Sequence, residues 1–120
     1  LTICGRTVHV LNTHLGLWPR ERPQQADRLL ELLSLSRRDL TILMGDLNEW
    51  HGWGKSLRGL RRVFGSPAAP VTFPARWPVL ALDRIWIFPA QALLTVEAHD
   101  TPRSRLASDH LPVKADIYLP

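Results

Sequence analysis

Thr41-Ile42-Leu43-Met44-Gly45-Asp46-Leu47-Asn48 is the stretch on which the reading of this chain turns. Its first four residues form a short apolar run stopped by Gly45, the pattern of a buried strand. Ending such a strand on Gly-Asp-x-Asn puts a carboxylate and a carboxamide where clefts open in α/β folds. Upstream, Ala26, Leu29, Leu30 and Leu33 recur at the i, i+3, i+4, i+7 spacing of one helix face. Pro23 suits the first helical turn, and Ser36, Arg37 and Arg38 suit the helix end, where the backbone dipole favours cations. Before the helix, Val8–Leu15 alternates apolar and polar residues, with Val8 and Val10 on one face and His9 and Leu11 on the other. Strand, helix, strand predicts a parallel pair joined by a crossover.

Downstream, Leu57, Leu60 and Phe64 predict a short helix whose other face carries Arg58, Arg61 and Arg62, read as a solvated face in preference to a phosphate patch. Residues 65–78 hold four prolines and form a long loop, a common place for function inside a compact domain. Leu82–Phe88, Leu93–Ala98 and Val113–Leu119 predict three more strands. The fold class is therefore α/β (α+β), a mixed β-sheet with helices on one face.

The 120 residues suit one domain, and 45% apolar content predicts a folded core rather than disorder. No run approaches the ~18 apolar residues of a membrane span. No signal-peptide pattern is visible, which leans the expected compartment toward the cytoplasm. The chain opens at Leu1 on strand-like sequence, so a fragment of a longer protein is expected. The single cysteine, Cys4, allows no internal disulfide and no cysteine-rich zinc site; beside Ile3 it reads as a small core residue. The net charge of +4 is carried almost wholly by arginine, since Lys55 and Lys114 are the only lysines. The planar guanidinium suits phosphate, though net charge points only weakly to an anionic partner.

Four short strings sit at strand ends or in the turns beside them: Asn12-Thr13-His14, Gly45-Asp46-Leu47-Asn48, Leu82-Asp83-Arg84-Ile85 and Ser108-Asp109-His110. Each has a plain structural reading, as an Asx-turn, a paired carboxylate or a satisfied histidine. Together they offer three carboxylates, two histidines and an asparagine for phosphoryl chemistry. Hard oxygen donors suit Mg²⁺ or Mn²⁺, histidine moves protons near neutral pH, and a carboxylate behind a histidine fixes its tautomer.

In order and spacing, these strings resemble the endonuclease/exonuclease/phosphatase superfamily, over about Val8 to Ile117. Asn12-Thr13-His14-Leu15 and the Glu21 to Gln25 stretch look closest to bacterial members. The resemblance implies half of a four-layer α/β/β/α sandwich of deoxyribonuclease I type, with residues 1–120 as the C-terminal half. It implies that His14 polarises the scissile phosphate and Asp46 orients or deprotonates the attacking water, with Asn48 beside it. Asp83 would set the tautomer of His110, and His110 would act as acid/base. Asp109, with Asp46, would bind the metal. Asn12, Arg76 and Trp50 would contact substrate, with Arg103 and Arg105 as further phosphate candidates. The implied activity is Mg²⁺- or Mn²⁺-dependent hydrolysis of a phosphodiester, in nucleic acid or a phospholipid head group, by in-line attack of water. The family's first half supplies a metal-binding Glu with no counterpart here. Weak metal binding and turnover are thus expected, as is a partner in the missing half or self-association through an apolar sheet face. The alternative is a catalytically incompetent half-domain acting as a binding module. Trp18, Trp50, Trp53 and Trp77 fall in loops and either pack them, stack on bases or meet an apolar group; Trp86, in a strand, reads as core.

Overall fold

A computed structural model of the chain describes residues 1–35, 40–50 and 54–119. The helix end expected at Ser36–Arg38, and Trp53, lie outside the described residues. The order is β1 (Thr2–Ile3), β2 (Arg6–His14), α1 (Arg22–Leu35), β3 (Leu40–Asp46), α2 (Arg58–Phe64), β4 (Asp83–Phe88), β5 (Leu93–Ala98), α3 (Ser104–Ala107) and β6 (Val113–Ile117). Strands β1 to β4 form a four-stranded sheet in chain order. β2 and β3 are parallel, joined through α1, and β4 runs antiparallel to β3. β5 and β6 pair with each other as a separate two-stranded antiparallel sheet.

Alternation along each strand separates two apolar clusters. On one face, Leu43 and Trp86, with Leu11 and Phe88, meet Ala26, Leu29 and Leu33 of α1 and Leu60 and Phe64 of α2. The helical spacing that predicted α1 thus marks the residues it buries. Phe64 and Trp86 meet with ring centroids 6.0 Å apart, a tilted aromatic contact. Full burial of side chains such as Leu43, Leu57 and Leu60 contributes about 1.5–3 kcal/mol each. On the opposite face, Val8, Leu40 and Ile87 are buried, while Val10, Ile42 and Ile85 are partly covered, sharing a cluster with Ala92, Leu93, Ile117 and Leu119. The β5–β6 end of the chain therefore packs on the face away from the helices.

Cys4 is not a core residue. It is exposed and stands with Gly5 at the turn joining β1 to β2, both at positive φ (50° and 76°), between the paired Ile3 and Arg6. A two-residue hairpin turn of this hand matches the twist of its strands, and that local demand outweighs the apolar neighbours. α3 has no apolar periodicity to announce it. Its start is set instead by Thr101 and Ser104: the Ser104 N–H donates to Thr101 Oγ1 (3.0 Å) and the Thr101 N–H to Ser104 Oγ (2.8 Å). No helix among the described residues is long and apolar enough to cross a membrane.

Candidate active site

Strand register builds the site. His14 ends β2 opposite Asp46, and Asp46 ends β3 opposite Asp83, the first residue of β4. Side chains at matched positions of adjacent strands share a face, here the face away from the helices. Gly45 makes the alignment possible: its φ is 137°, and a Cβ there would lie 1.8 Å from the Thr13 carbonyl oxygen. Only glycine lets β3 run this close to β2.

His110 arrives from the turn before β6. Its Nδ1 lies 2.8 Å from Asp83 Oδ2, its ring packs on Phe73 with centroids 4.8 Å apart, and its Nε2 lies 3.8 Å from Asp46 Oδ2. His14 Nε2 approaches the same Asp46 oxygen at 3.7 Å. An ionised carboxylate only accepts, so Nδ1 of His110 carries the proton shared with Asp83 and Nε2 faces the cleft. Thr72, buried in the proline-rich loop, donates its hydroxyl to the same Asp83 oxygen. Backbone bonds fasten that loop to the histidine turn: the Ala75 N–H donates to the Asp109 carbonyl (2.6 Å) and the Leu111 N–H to the Thr72 carbonyl (2.9 Å). The family resemblance places Thr72, Phe73 and Pro74 in a loop of substrate contacts, but the Thr72 bond to Asp83 and the Phe73 contact with His110 exist only once that loop folds beside β4.

Burial opposes a charge on His110, but its hydrogen bond to Asp83 and the fields of Asp83, Asp46 and Asp109 outweigh that, so its pKa is raised above 6.5. Asp46 is set by its own turn: the Asn48 N–H donates to Asp46 Oδ1 (2.8 Å), leaving Oδ2 toward the two histidines. Asn48 stands in the left-handed region at φ 48° and is buried. Its side-chain amide donates to the Leu15 carbonyl (2.6 Å), so its side chain ties the end of β2 to the end of β3.

The structure thus brings His14, Asp46, Asp83 and His110 together, with Asn48 directly behind Asp46. Among the described residues, Asp46, Asp83 and His110 are the group able to hold a cation, their ligand atoms lying within 4.8 Å of one another. Asp109 lies outside that group. It is exposed, and its carboxylate accepts from Ser108 Oγ (3.3 Å). Asn12 lines a shallow pocket with Thr13, His14, Gly45 and Asp46. Arg76 is exposed, and Arg105 is taken up by a two-point ion pair with Asp100 (2.6 and 2.7 Å). Trp86 is core, whereas Trp18, Trp50 and Trp77 are exposed by 71%, 54% and 79%, so none of these three is buried in packing its loop.

The sequence matches the family model for the endonuclease/exonuclease/phosphatase family over residues 3–110. It is 35% identical over 124 residues to the uncharacterized protein YbhP of Escherichia coli K12, an alignment covering 96% of this chain and 48% of that protein. The chain therefore spans about half the length of the curated relatives it matches. The fold is similar to a solved endonuclease/exonuclease/phosphatase from Bacteroides vulgatus, with a TM-score of 0.79 at 19% identity over 98% of this chain and 51% of that one. It is also similar to truncated Caenorhabditis elegans TDP2, with a TM-score of 0.62 at 23% identity over 98% of this chain and 57% of that one. With its matched strand ends and its family match over nearly the whole length, this chain belongs to the endonuclease/exonuclease/phosphatase family.

Proposed function

We propose that the site serves divalent-metal-dependent hydrolysis of a phosphodiester by an activated water. The observation that carries this reading is the facing pair Asp46 and His110, each held from behind, by Asn48 and Asp83 respectively. Asp46 takes the role of orienting the water. His110 holds or delivers a proton at Nε2, with its tautomer set by Asp83. His14, with 73% of its side chain exposed, reaches toward a phosphate oxygen. Asn12, beside His14 and Asp46 in their pocket, offers a substrate contact, and the exposed Trp50 and Arg76 are assigned further ones.

Within the cluster of Asp46, Asp83 and His110, the carboxylate oxygens are the hard donors that suit Mg²⁺ or Mn²⁺. Asp46 is assigned the cation; Asp83 is already engaged by Thr72 and His110, and the exposed Asp109, outside that cluster, is proposed as a second oxygen donor. When bound, the cation would neutralise charge on the phosphate. The substrate is a nucleic-acid or phospholipid-head-group phosphodiester. Bis(4-nitrophenyl) phosphate hydrolysis, measured with Mg²⁺ or Mn²⁺ and with EDTA, tests the reading. A metal-dependent rate that falls at least 100-fold in His110→Ala is expected on the usual size of acid–base catalysis, about 10²–10⁴-fold. An unchanged rate in that variant would falsify it.

A further inference from the structure

The site residues stand on the face of the sheet away from the helices, yet the turn that carries Asp46 is gripped from the helix side. Two arginines do this. Arg22, in the first turn of α1, donates Nη1 to the Asn48 carbonyl. Arg84, on β4 directly after Asp83, donates Nη2 to the Glu49 carbonyl at 3.0 Å. Both are buried, at 7% and 6% exposure, and the Nε of each is buried without a partner. The Glu49 side chain is buried with them, accepting from Ser56 Oγ (2.6 Å). A Cβ on Gly54 would strike it at 2.3 Å.

For stability alone this is a poor use of two interior positions. Removing a guanidinium from water is costly unless its donors are satisfied, and here one donor on each is orphaned. Desolvation, then the neighbouring Arg61, push the pKa of Arg84 down against the attraction of Glu49 and Asp83. What the two cations do accomplish is geometric. Consecutive carbonyls, of Asn48 and Glu49, are held from two different elements, α1 and β4. Leu47, between Asp46 and those anchors, is held at its N–H by the Leu82 carbonyl (3.0 Å) and by its buried side chain, and the arginines add the hold on the carbonyls that follow it. The Asn48 N–H, bonded to Asp46 Oδ1, passes that constraint to the carboxylate.

We propose that Arg84 and Arg22 are positioning residues, a two-point clamp on the Asn48–Glu49 backbone that aims the Asp46 carboxylate at His110. The clamp acts from behind the sheet and touches neither substrate nor metal. It rests on the phosphodiesterase reading only for its effect on turnover; its effect on the turn stands apart from that.

Amide hydrogen exchange followed by NMR on the whole chain tests it, with Arg84→Met, Arg84→Lys and Leu60→Ala compared. The Asn48 amide reports directly on the bond to Asp46. In Arg84→Met it should exchange at least 10-fold faster relative to the Leu43 amide in the same protein. Arg84→Lys, which keeps a charged donor, should recover most of that. Leu60→Ala, in the same apolar cluster as Leu47, removes core packing without removing a hydrogen bond to the turn and should leave the ratio unchanged. Should Arg84→Met not fold, Arg22→Met gives the same readout. On bis(4-nitrophenyl) phosphate, kcat should fall about 10-fold in Arg84→Met with KM little changed, and recover in Arg84→Lys. An Asn48-to-Leu43 exchange ratio that stays at the wild-type value overturns the clamp. Loss of the phosphodiesterase reading shows differently, as hydrolysis indifferent to His110→Ala.

Discussion

His110 Nδ1 and Asp83 Oδ2 lie 2.8 Å apart, although 27 residues separate them in the chain. The contact joins the turn before β6 to the first residue of β4, and Thr72 donates to the same carboxylate oxygen. It orients the imidazole so that its second nitrogen faces Asp46. A carboxylate that holds a histidine this way favours the imidazolium, and this dictates how the site responds to pH.

The pKa of His110, followed by NMR in the metal-free chain, should lie above the ordinary value of ~6.5 and drop in Asp83→Asn. The folded value is the raised one. The stabilisation from protonated His110 is therefore fully present below about pH 6.5 and is lost as pH rises through the folded pKa. Unfolding midpoints of wild type and Asp83→Asn should differ most just below pH 6.5, where His110 is protonated and Asp83 still ionised, and converge as pH rises through the folded His110 pKa. A His110 pKa at or below the ordinary value would count against the pairing.

Gly45→Ala should abolish the native fold. The added methyl would have to occupy the space of the Thr13 carbonyl oxygen, 1.8 Å away, so β2 and β3 would have to part at the register that aligns His14 with Asp46. Far-ultraviolet circular dichroism and the yield of soluble protein check this. A native spectrum with wild-type stability would show that the strand approach is looser than described.

Asn48→Ala should cost about 1–3 kcal/mol in denaturant unfolding, because it leaves the Leu15 carbonyl unbonded in a buried setting. The strained φ of 48° adds to the loss, since alanine tolerates the left-handed region less well than asparagine. Asn48→Gly should recover the backbone part but not the hydrogen bond. Equal stability of both variants and wild type would remove Asn48 from the junction of the two strands.

The partly covered Val10, Ile42 and Ile85 form an apolar stripe on the face where β5 and β6 pack. Self-association in light scattering should increase with concentration, and Ile42→Lys, placed in that stripe, should suppress it. Monodisperse monomer at millimolar concentration would indicate that the pair β5–β6 covers the stripe well enough.

Much of this architecture was legible in the chain by itself. The period of Ala26, Leu29, Leu30 and Leu33 gave α1, and the alternation at Val8 to Leu11 gave β2 and its two faces, whereas β3 does not stop at Gly45 as its sequence suggests but runs through it to Asp46. These are local signals: helix and strand bury side chains at fixed periods, whatever they pack on. Strand ends also gathered Asn12, His14, Asp46, Asn48 and Asp83 as candidates, and the family resemblance gave them their roles; that Asn48 is buried as a tie between strands was not legible there. Cys4 shows the limit of neighbour-based reasoning, since two apolar residues nearby did not outweigh a turn that needs positive φ. What tertiary structure alone decided is who faces whom. No spacing in the chain says that Thr72 reaches Asp83 or that Asp109 stays outside the cation-binding group. Nor does spacing say that Arg22 and Arg84 grip one turn from behind. Such contacts depend on register and on loop closure across dozens of residues, and their energies are collected only after the sheet has brought the strand ends into line.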